Sequence, residues 1–99
     1  MKYQVRWATA ALADREAIFR YLYREAGCPV ATQTDEKFVA MSRLLAEQPQ
    51  SGVVISGNDK RRRLTLSHLP FIMVYAISAQ QISILRLLHT SRKVSALYR

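Results

Sequence analysis

The side chains here with chemistry to offer are few and basic. Lys60-Arg61-Arg62-Arg63 is a run of four cations, suited to gripping a nucleic acid or an acidic protein target. It serves equally as the solvated start of an edge strand, its charge blunting aggregation. His89 closes the apolar stretch Leu87-Leu88. Its ordinary pKa near neutrality would let it give or take a proton, and it could as well be a strand-end histidine bonded to a backbone carbonyl. Arg86 stands among apolar residues on the same stretch, so it is expected to reach the open face of a sheet. Cys28 precedes a helix start that would favour a thiolate, but no histidine lies near it in sequence, so no catalytic thiol is expected. Tyr75 and Phe71 read as core.

Composition narrows the classes. Ninety-nine residues carry 15 Lys+Arg against 7 Asp+Glu, a formal charge of +8. Eleven of those cations are arginines, whose planar fork fits phosphates and carboxylates better than solubility alone requires. A domain this basic attracts polyanions or an acidic partner. Hydrophobic content of 49% excludes a disordered chain. The longest apolar run, Phe71 to Ile77, is too short to span a bilayer, and Met1 to Trp7 alternates instead of forming a secretory leader. One cysteine allows no internal disulfide, and no Cys/His cluster offers metal ligands. No membrane association and no cofactor are expected, and a reducing cytoplasm fits best.

The elements that must position these residues follow from periodicity. Lys2 to Trp7 alternates as a strand, with Tyr3, Val5 and Trp7 on one face and Lys2, Gln4 and Arg6 on the other. Thr9 is placed as an N-cap for a helix over 10–26. That helix carries Leu12, Phe19, Leu22, Tyr23 and Ala26 as its apolar side and ends at Gly27. Pro29 is placed as the first residue of a second helix, with Val30, Thr34, Phe38, Met41 and Leu45 recurring at helical steps until Pro49. So short a connection predicts an antiparallel helical hairpin. Residues 50–60 read as loop around a brief Val53-Val54-Ile55 edge strand. Arg61 to Ser67, Phe71 to Ile77 and Ile82 to His89 then form a meander, the middle strand apolar on both faces. The result is one α+β domain over residues 1–99. Its order is β-α-α-β-β-β, with the hairpin packed on one face of an antiparallel twisted sheet that the first strand also joins.

Arg62-Arg63-Leu64, then Leu69-Pro70-Phe71-Ile72-Met73-Val74-Tyr75, then Ile82 to His89 with Arg92 nearby, resemble the C-terminal half of the RelE/ParE toxins of type II toxin–antitoxin systems. The N-terminal strand and the two helices are also similar to that family, so the resemblance covers nearly the whole chain. It implies two mechanisms on one fold. RelE-like members cut messenger RNA on the ribosome. On that branch the two sheet-lysine positions fall on Arg63 and Thr65, the sheet arginine on Ile72, and the C-terminal arginine and tyrosine on Arg92 and Tyr98. Arg63, His89, Arg92 and Tyr98 would then carry catalysis. Thr65 and Ile72 depart from the pattern, and losing one transition-state cation costs about 3 kcal/mol or more.

ParE-like members poison DNA gyrase with its DNA cut, and they need no catalytic residue. The Leu87-Leu88-His89 ending and the strand into Tyr75 look closer to this branch. Its target contacts would be Arg61, Arg62, Arg63, Arg86, Arg92 and Lys93. Either branch implies growth arrest, a role in plasmid stabilisation, and a cognate antitoxin that folds on binding, giving a toxin–antitoxin hetero-oligomer. A third reading, a plain nucleic-acid-binding module, rests on the charge alone.

Overall fold

The structure, a computed structural model, describes residues 3–55, 58–66 and 69–90. Strand β1 (Gln4–Trp7) leads into helix α1 (Thr9–Ala26) and helix α2 (Cys28–Glu47). A 3-10 turn (Pro49–Ser51) then precedes β2 (Val53–Ile55), β3 (Asn58–Thr65), β4 (Phe71–Ser78) and β5 (Gln81–His89). The five strands form one sheet in the order β1-β5-β4-β3-β2.

β2 to β5 pair antiparallel, as the short links require, whereas β1 lies parallel to β5. The sheet is therefore mixed. Alternation reports which face a residue occupies and carries no information on strand direction, so this pairing was not readable from the pattern. β1 leaves the sheet after Trp7, where the Ala8 N–H still donates to the Ile84 carbonyl at 2.9 Å. Ala8 thereby becomes the N-cap, and its own carbonyl accepts from the Leu12 N–H. Thr9, expected in that role, is already helical and makes no capping bond. Gly27 joins the helices with φ of 96°, a left-handed conformation that glycine adopts without penalty.

Both helices pack on one face of the sheet. Phe38 and Leu45 of α2 and Ala11 of α1 meet Phe71, Met73 and Tyr75 of β4 and Ile82, Ile84 and Leu87 of β5. The inward side of α1 differs from the expected one. Ala11 is buried and Ile18 packs on the core, while Leu12 and Tyr23 are 49% and 56% exposed. Two charged residues cause the difference. Arg15 lies over the Trp7 ring at 4.6 Å and forms a two-pronged pair with Asp35 of α2. Asp14 turns toward β5. Polar residues thus occupy inward positions, and of the expected apolar side Phe19 and Leu22 are half-buried while Leu12, Tyr23 and Ala26 are exposed.

β4 sits between β3 and β5, and its apolar run is buried on both faces, Val74 away from the helices as well as Met73 beneath them. The Tyr75 ring is fully buried, yet its hydroxyl is satisfied. It donates to the Pro49 carbonyl at 2.7 Å and accepts from the Gly52 N–H at 2.8 Å. This clamp pins the 3-10 turn and β2 to the centre of the sheet. Gly52 is required by the close approach: a Cβ there would lie 2.7 Å from the Arg63 carbonyl and 2.8 Å from the Tyr75 ring.

Candidate functional site

Register decides which arginines share a surface. On β3, Arg61 pairs with Ala76 and Arg63 with Val74, and both arginines are exposed on the face away from the helices. Arg62, between them, pairs with Tyr75 on the covered face. Its guanidinium donates to the Gly52 carbonyl at 2.8 Å, beside the Tyr75 hydroxyl. Arg62 therefore braces the turn from the face opposite Arg61 and Arg63, because a strand sends successive side chains to opposite faces. Burial pushes the Tyr75 phenol above its ordinary pKa, with the Gly52 N–H and the Arg62 charge pulling it partly back.

The pairing continues across the sheet. Ala76 faces Ser83 on β5, and Ser83 faces Arg6 on β1. Arg6, Ser83, Ala76 and Arg61 thus form one row over four strands, with arginines at both ends and small residues between. A second row holds Arg86, Val74, Arg63 and Val53, and a third holds Leu88, Ile72 and Thr65.

One irregularity sorts the last strand. Val74 pairs with Arg86 and Tyr75 with Ile84, so Leu85 is an extra residue, a β-bulge. Beyond it the parity flips. Leu87 joins Ile82 and Ile84 on the helix side, and Arg86 and Leu88 take the other. The Arg86 guanidinium grips Asp14 with two bonds of 2.7 and 3.1 Å, and the same carboxylate accepts the Leu87 N–H at 2.9 Å. Asp14 so occupies the β5 edge where β1 has left the sheet.

His89 falls on the helix side, stacked edge-on against Phe71 with centroids 5.0 Å apart. It lines a cleft of about 350 Å3 with Asp14, Ile18, Tyr21, Arg24 and Leu87 among its walls. The sheet itself stands between His89 and Arg63. Thr65 and Ile72 are direct cross-strand partners on the open face. Arg92, Lys93 and Tyr98, the remaining expected site residues, lie outside the described residues. Among the described residues, no group of three or more His, Cys, Asp or Glu could hold a metal ion, and no helix is long and apolar enough to cross a membrane.

Two features escaped the sequence reading. Alternation places Arg6 opposite Tyr3, Val5 and Trp7, but only the parallel register brings it into line with Arg61. The charge is also segregated. α1 and α2 carry five of the basic residues and six of the acidic ones, leaving ten basic residues and one acid for the rest of the chain. Nearly all the acids sit in the hairpin, and the whole net charge lies elsewhere.

The fold has close counterparts. A protein of the chromosomal ParDE toxin–antitoxin system of P. aeruginosa superposes with a TM-score of 0.79 at 24% identity, covering 91% of this chain and 98% of the other. The isolated E. coli RelE toxin gives 0.59 at 17% identity, covering 98% and 97%. A RelE variant in complex with a RelB antitoxin peptide gives 0.55 at 15%, covering 99% and 93%. No curated protein matches the sequence. The family model for the ParE toxin of type II toxin–antitoxin systems matches residues 5–94, and the chain therefore belongs to the ParE toxin family.

Proposed function

We propose that this chain is a toxin that acts on DNA gyrase, trapping the enzyme with its DNA cut, and that a cognate antitoxin neutralises it in the cytoplasm. The observation that carries this reading is the Thr65–Ile72 pair. Cleavage of RNA needs cations around the pentavalent phosphate and groups to move two protons. A RelE-like site would set two cations where this sheet has a hydroxyl and a hydrocarbon side by side. His89, the spare acid or base, faces the helices, so the sheet separates it from Arg63. The open face is furnished for binding, not for bond cleavage. Neutralisation draws on the same charge: an acidic segment of the antitoxin, folding as it binds, is the natural complement of a +8 chain.

The test is a gyrase assay with relaxed plasmid and ATP, scored for linear DNA and lost supercoiling. Accumulating cleaved complexes support the reading. Untouched gyrase, with messenger RNA cut on programmed ribosomes, overturns it. Arg63, exposed on the open face of a fold that also matches RelE over nearly its full length, is the observation that favours this second outcome. In that case Arg92→Ala and Tyr98→Phe should each abolish cleavage.

A further inference from the structure

We infer that the open face of the sheet is a binding surface for the phosphate backbone of duplex DNA, with Arg6, Arg61 and Arg63 as its contacts. The inference rests on the gyrase reading and deepens it: the toxin touches the DNA that gyrase holds as well as the enzyme.

Three observations lead there. The first is charge. Six of the seven acids sit in the hairpin, and the seventh, Asp59, stands at the beginning of β3, so the arginines of the face turned away from the helices outnumber the acids there. Among the described residues, Arg15, Arg20, Arg24 and Arg86 hold acidic partners, whereas no ion pair involves Arg6, Arg61 or Arg63. The second is spacing. Arg61 and Arg63 are two residues apart on a strand, about 6.7 Å. One strand of B-DNA rises roughly 3.4 Å per phosphate while winding around the axis, which sets neighbouring phosphates roughly 7 Å apart in space, so the two arginines match adjacent phosphates. Arg6 stands three strand intervals from Arg61, roughly 14 Å, comparable with the roughly 12 Å width of the major groove. Ser83 and Ala76 between them keep the floor low, which lets a backbone approach. The third is what the rows lack. Among the described residues, the cross-strand rows of this face carry no aromatic side chain on which the bases of a single strand could stack. Duplex is favoured over single-stranded RNA or DNA, and arginine's fork over a generic cation suits phosphate oxygens.

The experiment measures binding of the full chain to a labelled 20-base-pair duplex without gyrase, across salt concentrations. Arg6→Gln, Arg61→Gln and Arg63→Gln are compared with Arg20→Gln on the hairpin, and circular dichroism verifies that each variant is folded. Each face variant should lower the slope of log K against log salt by about 0.9, which at 0.05 M salt weakens binding by up to about 15-fold. Arg20→Gln should leave both unchanged. Equal slopes in all four variants overturn the proposal, as does tighter binding of a 20-nucleotide RNA than of the duplex. Face variants that lose binding to DNA-free gyrase and keep it to the duplex also overturn it, since the arginines would then read an acidic protein surface. The gyrase reading fails separately: wild-type chain that binds duplex through these arginines yet accumulates no cleaved complexes removes the target and leaves the face standing.

Discussion

Replacing Tyr75 with phenylalanine should destabilise the fold by about 2–3 kcal/mol, and the structure shows where that energy comes from. The ring is retained, so there is no cavity to count. What goes is one hydroxyl with two partners, the Pro49 carbonyl it donates to and the Gly52 N–H it accepts from. Each bond contributes about 1 kcal/mol net, and the buried Gly52 N–H, left without an acceptor, adds part of a desolvation penalty of about 1–3 kcal/mol. For a chain near 100 residues, 1 kcal/mol shifts Tm by about 4–8 °C, so the expected drop is about 10–20 °C. Urea unfolding of wild type and Tyr75→Phe, with Tm by calorimetry, measures both. The urea m-value should stay constant, since the same surface is exposed on unfolding. A loss below about 0.5 kcal/mol would refute the reasoning, for it would mean the turn and β2 are not held through this hydroxyl.

The same clamp makes stability depend on alkaline pH. The Tyr75 pKa is raised in the fold above its ordinary value of 10.0, so the folded state keeps a proton the unfolded chain gives up. Its contribution is complete below pH 10 and is lost as pH rises through the folded value, a decline that urea titrations from pH 8 to 11 should show and Tyr75→Phe should reduce. Gly52→Ala forces a methyl against the Arg63 carbonyl and the Tyr75 ring and should cost about 1–3 kcal/mol in the same unfolding assay. Asp14→Ala leaves the Leu87 N–H and the Arg86 guanidinium short of an acceptor and should cost about 2–3 kcal/mol, with Asp14→Asn recovering part of it. Antitoxin association should slow at high salt, because long-range steering by a +8 chain is screened; stopped-flow rates equal at low and high salt would count against it.

The element order, the helical hairpin and the doubly buried β4 were legible because each is written locally: apolar spacing, Gly27, Pro29 and Pro49, and the unbroken run from Phe71 to Ile77. The site was less legible, and the reasons are specific. Arg61, Arg62 and Arg63 look alike in sequence. Alternation alone separates the inward Arg62 from the other two, but which set faces out depends on where the helices lie. Arg6 needed the parallel pairing of β1 with β5, a contact between chain segments more than seventy residues apart. Asp14 and Arg15 disguised the inner side of α1, since ion pairs made across the fold leave no local trace.

The most consequential feature is the smallest. Strict alternation from Ile82 would carry Ile84, Arg86 and Leu88 to the helix side and leave Leu87 and His89 on the open face beside the arginines. Leu85, the one residue without a partner on β4, reverses this. Leu87 enters the core, His89 turns to Phe71 and the cleft, and Arg86 is released toward Asp14 at the β5 edge. The bulge therefore sets His89 and Arg63 on opposite sides of the sheet. The face on which each of the last four residues of β5 lies turns on a single inserted residue. A bulge of that kind leaves no mark in the hydrophobic pattern, because Leu85 is as apolar as the residues around it.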